Sequence, residues 1–371
     1  MRPRAGRSWD ARSDPTNQDN RLRSESWRGE MARFPPLVLV NVSRSWPAVA
    51  GRRMVDEVDE KASPSWWFGC PCRMAGGTDS CGCEVTARRV ILAGMSIRGR
   101  RSLNLSTFDQ VLVPDDDEVV TVDLSMTEFI DAYGLVGVTC HIAEAVADGR
   151  AVKVLTPEHD AVARYLSRMH LPALLEEYDV AVDWPFPWVG ERDQQDSLIE
   201  LENFSDAGGS DRLAEFLWHR LMEGGADPQV VDDVFNAAGE LCNNVVEHAQ
   251  SASGGWVAAQ RYQADQPSEY LVLAVGDVGI GISRSLSRRY GWMDDEKAVA
   301  KALELYVSSV DDPGRGQGLT WIAEALAGLR GSVWVRSGAA RRVTKYRSRG
   351  EQVSHLQGTI VAARVPCRPG G

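Results

Sequence analysis

Residues 236–248, Asn-Ala-Ala-Gly-Glu-Leu-Cys-Asn-Asn-Val-Val-Glu-His, constrain this chain more than any other stretch. Their spacing predicts a helix in which Glu240, Asn244 and His248, at i, i+4 and i+8, share one face. Val234, Ala238, Leu241 and Val245 form a separate apolar stripe at helical spacing. A carboxylate, a carboxamide and an imidazole beside a packed stripe suit a buried polar pocket. The carboxylate can take a proton from water, and the amide oxygen can ligate Mg²⁺, a hard cation that prefers oxygen. On these residues alone, an ordinary amphipathic helix with its polar side chains in solvent fits equally well.

Two later stretches add to that helix. Leu271–Ile282, LVLAVGDVGIGI, is an apolar strand running into Asp277-Val-Gly279-Ile-Gly281. Gly314–Leu319, GRGQGL, follows a polar turn and precedes an apolar helical run from Thr320 to Leu329. A glycine-rich turn that opens a helix can place backbone N–H groups against phosphate oxygens. An Asp just past a strand end can accept a hydrogen bond from an exocyclic amine. Either glycine motif alone is weak, and neither is a P-loop, because no Gly-Lys-Ser/Thr follows. The specificity lies in their order and separation after the Glu/Asn helix.

At these residues the chain resembles the Bergerat-fold ATP-binding domain of the GHKL superfamily, to which gyrases and histidine kinases belong. Glu240-Leu-Cys-Asn-Asn244 looks like its N box, Asp277-Val-Gly279-Ile-Gly281 its G1 box and Gly314-Arg-Gly-Gln-Gly-Leu319 its G2 box. Gly358-Thr359 looks like the closing Gly-Thr pair. The resemblance covers roughly residues 197–367, and His248 is similar to the anti-sigma-factor serine kinase branch. It implies ATP and Mg²⁺ as cofactors, with Glu240 activating the attacking water or hydroxyl and Asn244 holding the metal. It further implies that Asp277 reads the adenine amine while Gly279 and Gly281 admit the backbone close to the base. Gly314, Arg315, Gly316, Gln317, Gly318 and Leu319 would wrap the phosphates, with Thr359 closing the site. His248 would either pack near the triphosphate or be a satisfied core histidine.

The length of 371 residues suits two to three domains. Charge is unevenly spread: residues 1–94 carry 15 Lys/Arg against 11 Asp/Glu, and the other 277 carry 26 against 41. That acidic body argues against a nucleic-acid partner. No apolar run approaches the ~20 residues needed to span a membrane, and the N-terminus lacks a signal-peptide core, so a cytoplasmic protein is expected. Residues 1–94 hold five Trp but no sustained period of 2 or 3.6. They read as a non-domain extension, either a disordered tail or translated upstream sequence with the natural start at Met95. Cys70, Cys72, Cys81 and Cys83 could complete a zinc tetrahedron, though their C-x-C spacing is uncommon in such sites.

Residues 95–183 read as a small α/β domain. Glu118–Leu124, Ala151–Leu155 and Tyr178–Val182 are expected as strands, Phe129–Ala147 and Pro157–Leu171 as helices. Val122-Asp-Leu-Ser125 followed by Phe129-Ile-Asp131-Ala-Tyr-Gly134-Leu resembles the STAS domain of anti-sigma-factor antagonists. That family carries a phosphorylatable Ser after the Asp; here the position is Ala132, which has no hydroxyl to accept a phosphoryl group. Residues 184–196, with two prolines and three aromatics, are expected to be a linker, and residues 368–371 a tail.

The fold expectation is therefore α/β: a STAS-like domain followed by a Bergerat-fold α/β sandwich with helices on one face of its sheet. The Arg- and Lys-rich stretch 339–357 reads as a solvated hairpin loop. Together the two resemblances imply a kinase acting on a protein partner, a STAS-domain antagonist or a sigma factor, and allow a homodimer. A nucleotide-dependent switch or ATPase that phosphorylates no protein is the other reading.

Overall fold

Short strands with alternating burial build the N-terminal sheet of this computed structural model, which describes residues 94–115, 117–190, 199–263, 269–304, 307, 318–344 and 349–367. Strand β1 (Gly94–Ile97) pairs antiparallel with β3 (Leu112–Asp115) and parallel with β4 (Val119–Asp123). Two further parallel strands, β6 (Ala151–Leu155) and β7 (Ala181–Val182), complete the order β3-β1-β4-β6-β7. A separate parallel pair joins β2 (Ser102–Leu103) to β5 (Phe129–Ile130). The three strands expected from the sequence are present; β1, β2, β3 and β5 are additions.

Helix α1 (Ala132–Ala147) starts three residues later than its apolar pattern suggests. Phe129 and Ile130 belong to a strand, and the Asp131 carboxylate caps the helix by accepting the Gly134 N–H at 2.8 Å and the Leu105 N–H at 3.2 Å. The single helix expected over 157–171 is two, α2 (Asp160–Arg168) and α3 (Leu171–Glu177). They part at His170, which takes a left-handed φ of 63°, and Pro172 sits in the first turn of α3.

The second half opens with a strand, β8 (Ile199–Phe204), then α4 (Ala207–Glu223) and α5 (Pro228–Asn244). A π-helical turn, Val245–Ala249, continues α5. Then follow β9 (Gly255–Gln263), β10 (Glu269–Asp277), α6 (Gly281–Tyr290), α7 (Asp295–Ala302), α8 (Gly318–Gly328), β11 (Ser332–Thr344) and β12 (Arg349–Pro366). The strands form an antiparallel sheet in the order β11-β12-β10-β9-β8. Helix α6 had no counterpart in the sequence reading: of its ten residues only Leu286 is buried, so no apolar stripe announces it.

The α/β class is as expected, but the two halves share a core. In β10, Leu271, Leu273 and Val275 point into the cluster formed with Val234 and Leu241 of α5. Val272 and Ala274, on the opposite face, pack into a second cluster with Leu135, Val136 and Val138 of α1. A strand buried on both faces reads as a continuous apolar run, which accounts for LVLAV. Helices from its own half lie on one side of this sheet, and α1 covers the other.

The stretch expected to be a solvated hairpin loop is instead partly buried. Residues 339–344 extend β11 and residues 349–357 extend β12, with Ala340 and Leu356 inside the core. Arg336, 1% exposed, donates its Nε–H to the buried Asp109 carboxylate, and Arg341 donates to the other Asp109 oxygen at 2.7 Å. Ser354 Oγ reaches the Leu112 carbonyl at 3.2 Å. Arginines here are drawn inward because a carboxylate more than 220 residues earlier neutralises them. In the segment before β8, Phe186 packs on the shared core while Trp184 and Trp188 stay exposed. No helix among the described residues is long and apolar enough to cross a membrane.

Candidate functional site

Strand β10 delivers Asp277 to the edge of the core. Its carboxylate is 4% exposed and accepts backbone N–H groups from Gly279, at 2.8 Å, and from Thr359, its partner on β12. Burial pushes its pKa up to about 6, and those two N–H groups pull the other way. The turn after it is tight. A side chain at Gly279 would run into the Ala249 carbonyl, and Ile280 N–H donates to that same carbonyl at 2.8 Å. Gly281 has a φ of 72° and Gly358 a φ of 83°, both in the left-handed region that glycine occupies without strain.

Thr359 and Gly358 meet that turn through Ser337 on β11. Ser337 Oγ accepts from Ile282 N–H at 2.9 Å, donates to the Gly358 carbonyl at 2.9 Å and lies 3.2 Å from Thr359 Oγ1. Ser337 is 2% exposed and sits at a register shift between β11 and β12. The sequence reading missed it: one serine in a strand carries no pattern, and its role depends on a bulge that pairing alone reveals.

Helix α5 supplies the polar side chains. Asp227 caps it by accepting Gln229 N–H at 2.9 Å, with Pro228 in its first turn. Its apolar stripe is buried as predicted: Val234, Ala238, Leu241 and Val245 all belong to the core. Glu240 stands exposed on the other side, against the first residue of α8, where a Cβ on Gly318 would run into its carboxylate. Asn244 is half-buried, and its Nδ2 is enclosed without a hydrogen-bond partner among the described residues.

The π-turn changes the phase of the helix just past Asn244, so uniform α-helical spacing does not carry through to His248. His248 is half-buried, with Nε2 3.8 Å from the Glu247 carboxylate, and burial lowers its pKa. Leu319 packs against the C-terminal core. Cys242 is a buried core residue whose thiol is pushed up to about 12 by burial.

Helix α5 and its π-turn are thus the spine of the site. Gly318 meets it at Glu240, and the Asp277–Gly281 turn meets it at Ala249. A turn of α-helix and the π-turn separate those points by on the order of 10 Å, the scale of a nucleotide lying along the helix. Gly314, Arg315, Gly316 and Gln317 lie outside the described residues, as do Cys70, Cys72, Cys81 and Cys83. Among the described residues no cluster of His, Cys, Asp and Glu is arranged to hold a metal ion. A single amide oxygen from Asn244 is a donor of a different kind, suited to Mg²⁺ whose other ligands are phosphate oxygens and water.

No protein-family model matches the chain, and no curated protein matches it. Among solved structures it is similar to the mycobacterial sensor histidine kinase MprB, at 20% identity, over 38% of this chain and 74% of that one, with a TM-score of 0.24. It is also similar to the histidine kinase domain of the blue-light-activated histidine kinase EL346 from Erythrobacter litoralis, at 14% identity, over 64% and 88%, with a TM-score of 0.22. The functional reading rests on the residues of the site itself.

Proposed function

We propose that residues 197–367 bind ATP in the manner of a Bergerat-fold domain, and that the chain is a regulatory kinase of the anti-sigma-factor serine/threonine type. The carrying observation is the convergence on α5: Gly318 and the Asp277–Gly281 turn, distant in sequence, abut one helix and its π-turn, and Gly358-Thr359 packs against that same turn. Asp277, fixed by two backbone N–H groups, presents an acceptor for the exocyclic amine of adenine. Gly279 and Gly281 let the turn pack against Ala249 and Ser337, which fixes the backbone that carries Asp277. The enclosed, unpartnered Asn244 Nδ2 fits an amide whose oxygen turns outward to the metal. Mg²⁺ bound there with the nucleotide would supply charge neutralisation at the phosphates. Glu240, exposed at the opposite end of the spine, takes the proton of the attacking water or hydroxyl.

The acceptor of the phosphoryl group is a serine or threonine of a separate protein, a STAS-like antagonist being the partner class that the resemblance implies. Within this chain the corresponding position, Ala132, is wholly buried and lacks a hydroxyl. The same observation favours a second reading, a nucleotide-dependent switch in which water is the acceptor and binding of the partner is what ATP controls.

Incubation with γ-labelled ATP and host lysate separates the two. Label entering a protein supports the kinase, and label released only as phosphate supports the switch. Glu240→Ala is expected to abolish either outcome while retaining ATP, because a base acts in the transition state rather than in ground-state binding. Loss of binding together with turnover, with the fold intact by circular dichroism, would count against the base role.

A further inference from the structure

Behind the Asp277 turn, on the face of the sheet away from α5, the N-terminal half makes contacts that no motif of the site explains. Helix α1 lies directly on Gly276, the residue before Asp277: a Cβ there would come within 2.7 Å of both Cys140 Sγ and Val136 Cγ1. One turn on, Glu144 Oε1 accepts the backbone N–H of Gln357 at 3.1 Å. Gln357 in turn donates from Nε2 to the Val278 carbonyl at 3.1 Å, inside the turn that presents Asp277. The second Glu144 oxygen faces His141 Nδ1 at 3.9 Å, and His141 is 3% exposed with neither ring nitrogen hydrogen-bonded among the described residues. Glu144 thus links α1, by one hydrogen bond, to the residue that precedes Gly358-Thr359.

We infer that Glu144 is a positioning residue for nucleotide binding: through Gln357 it fixes the Val278 carbonyl and with it the turn that carries Asp277. The inference rests on the reading of that turn as the adenine site. It makes the N-terminal half a contributor to nucleotide affinity in cis, although none of its residues touches the base. A backbone carbonyl anchored from behind leaves the two N–H groups of the turn, Gly279 to Asp277 and Ile280 to Ala249, in one geometry. Without the anchor the turn samples others, and the base meets a less organised acceptor.

Two measurements on the full chain test this. The first is hydrogen exchange at the Gly279 and Ile280 amides in nucleotide-free protein; the second is titration with ATP and with adenosine. Glu144→Ala is expected to speed exchange at both amides by about tenfold and to weaken both ligands equally, by about threefold to tenfold. Glu144→Gln, whose amide oxygen still accepts the Gln357 N–H, is expected to exchange and bind as the wild type does. Adding Gln357→Ala to Glu144→Ala should cost less than the two substitutions summed, because their hydrogen bonds lie in series between α1 and the turn. Unchanged exchange in Glu144→Ala overturns the coupling, as does a Glu144→Gln variant as impaired as Glu144→Ala. A wild-type chain that binds neither ATP nor adenosine overturns the nucleotide reading on which the proposal stands. A lowered melting temperature with unchanged exchange and affinity would reduce Glu144 to a packing residue.

Discussion

Helices α1 and α5 lie on opposite faces of the same antiparallel sheet, and they are built differently. Thirteen of the 16 residues of α1 are buried, against eight of the 17 in α5. Helix α5 is amphipathic in the ordinary sense, packing one stripe and leaving Glu240 to solvent. Helix α1 is apolar or small nearly all round, since it serves two sheets at once: Gly137 admits the Phe108 ring on one side, and Val136 and Cys140 meet Gly276 on the other. The difference teaches which helix can do chemistry. A helix with a solvent-facing edge can meet a ligand, whereas one enclosed between sheets can act only through what it holds in place.

A buried carboxylate beside α1 sharpens the contrast. Asp109, beside α1, is enclosed with Arg336 and Arg341 and serves the join between the halves. Asp109→Ala leaves Arg336 buried without its carboxylate and is expected to destabilise the fold by about 3–5 kcal/mol, the largest effect anticipated here. Urea denaturation checks it. A loss within the small range of an exposed ion pair would mean that the two halves are joined more loosely than their shared core implies.

A smaller effect follows from pH. Burial raises Asp277 from 3.8 to about 6 and Asp131, under α1, from 3.8 to about 7. Each folded carboxyl keeps its proton in a range where the unfolded chain has lost it. Their stabilising contributions are therefore fully present below about pH 4 and are lost as pH rises, through about 6 for Asp277 and about 7 for Asp131. Adenine recognition has the opposite sign, because the Asp277 anion is the better acceptor, so affinity should rise as pH passes through about 6. In Asp277→Asn the affinity step should vanish while the stability change due to Asp131 remains. Denaturation and titration over the same pH series would show it, and an affinity step that survives the substitution would assign it to another group.

The asymmetry between the helices was only half legible in the sequence. The α5 side is local: cap, stripe, Glu240 and Asn244 lie within 22 residues, and Asp277 follows directly on its apolar strand. Its glycines announce themselves because positive φ and close backbone approach demand them. The α1 side is long-range. Arg341 reads as solvated until Asp109 is placed beside it, and nothing local marks the pairing of Arg336 with Asp109 or the role of Glu144. The burial of 13 of its 16 residues fits the apolar composition of α1, but nothing in that composition says what covers its second face. Ser337 was hidden for the same reason, since a β-bulge is a property of two strands rather than one.

Asp277 sits between these contacts: the π-turn after α5 meets Gly279 and Ile280 beyond it, and α1 packs on Gly276 before it. Calorimetric titration of the full chain with Mg-ATP, wild type against Asp277→Asn, tests its role most directly. One-to-one binding that weakens by about 1–3 kcal/mol in the variant, the scale of a lost hydrogen bond to a charged group, is the predicted result. Equal binding by the two proteins, or no binding by the wild type, would contradict it.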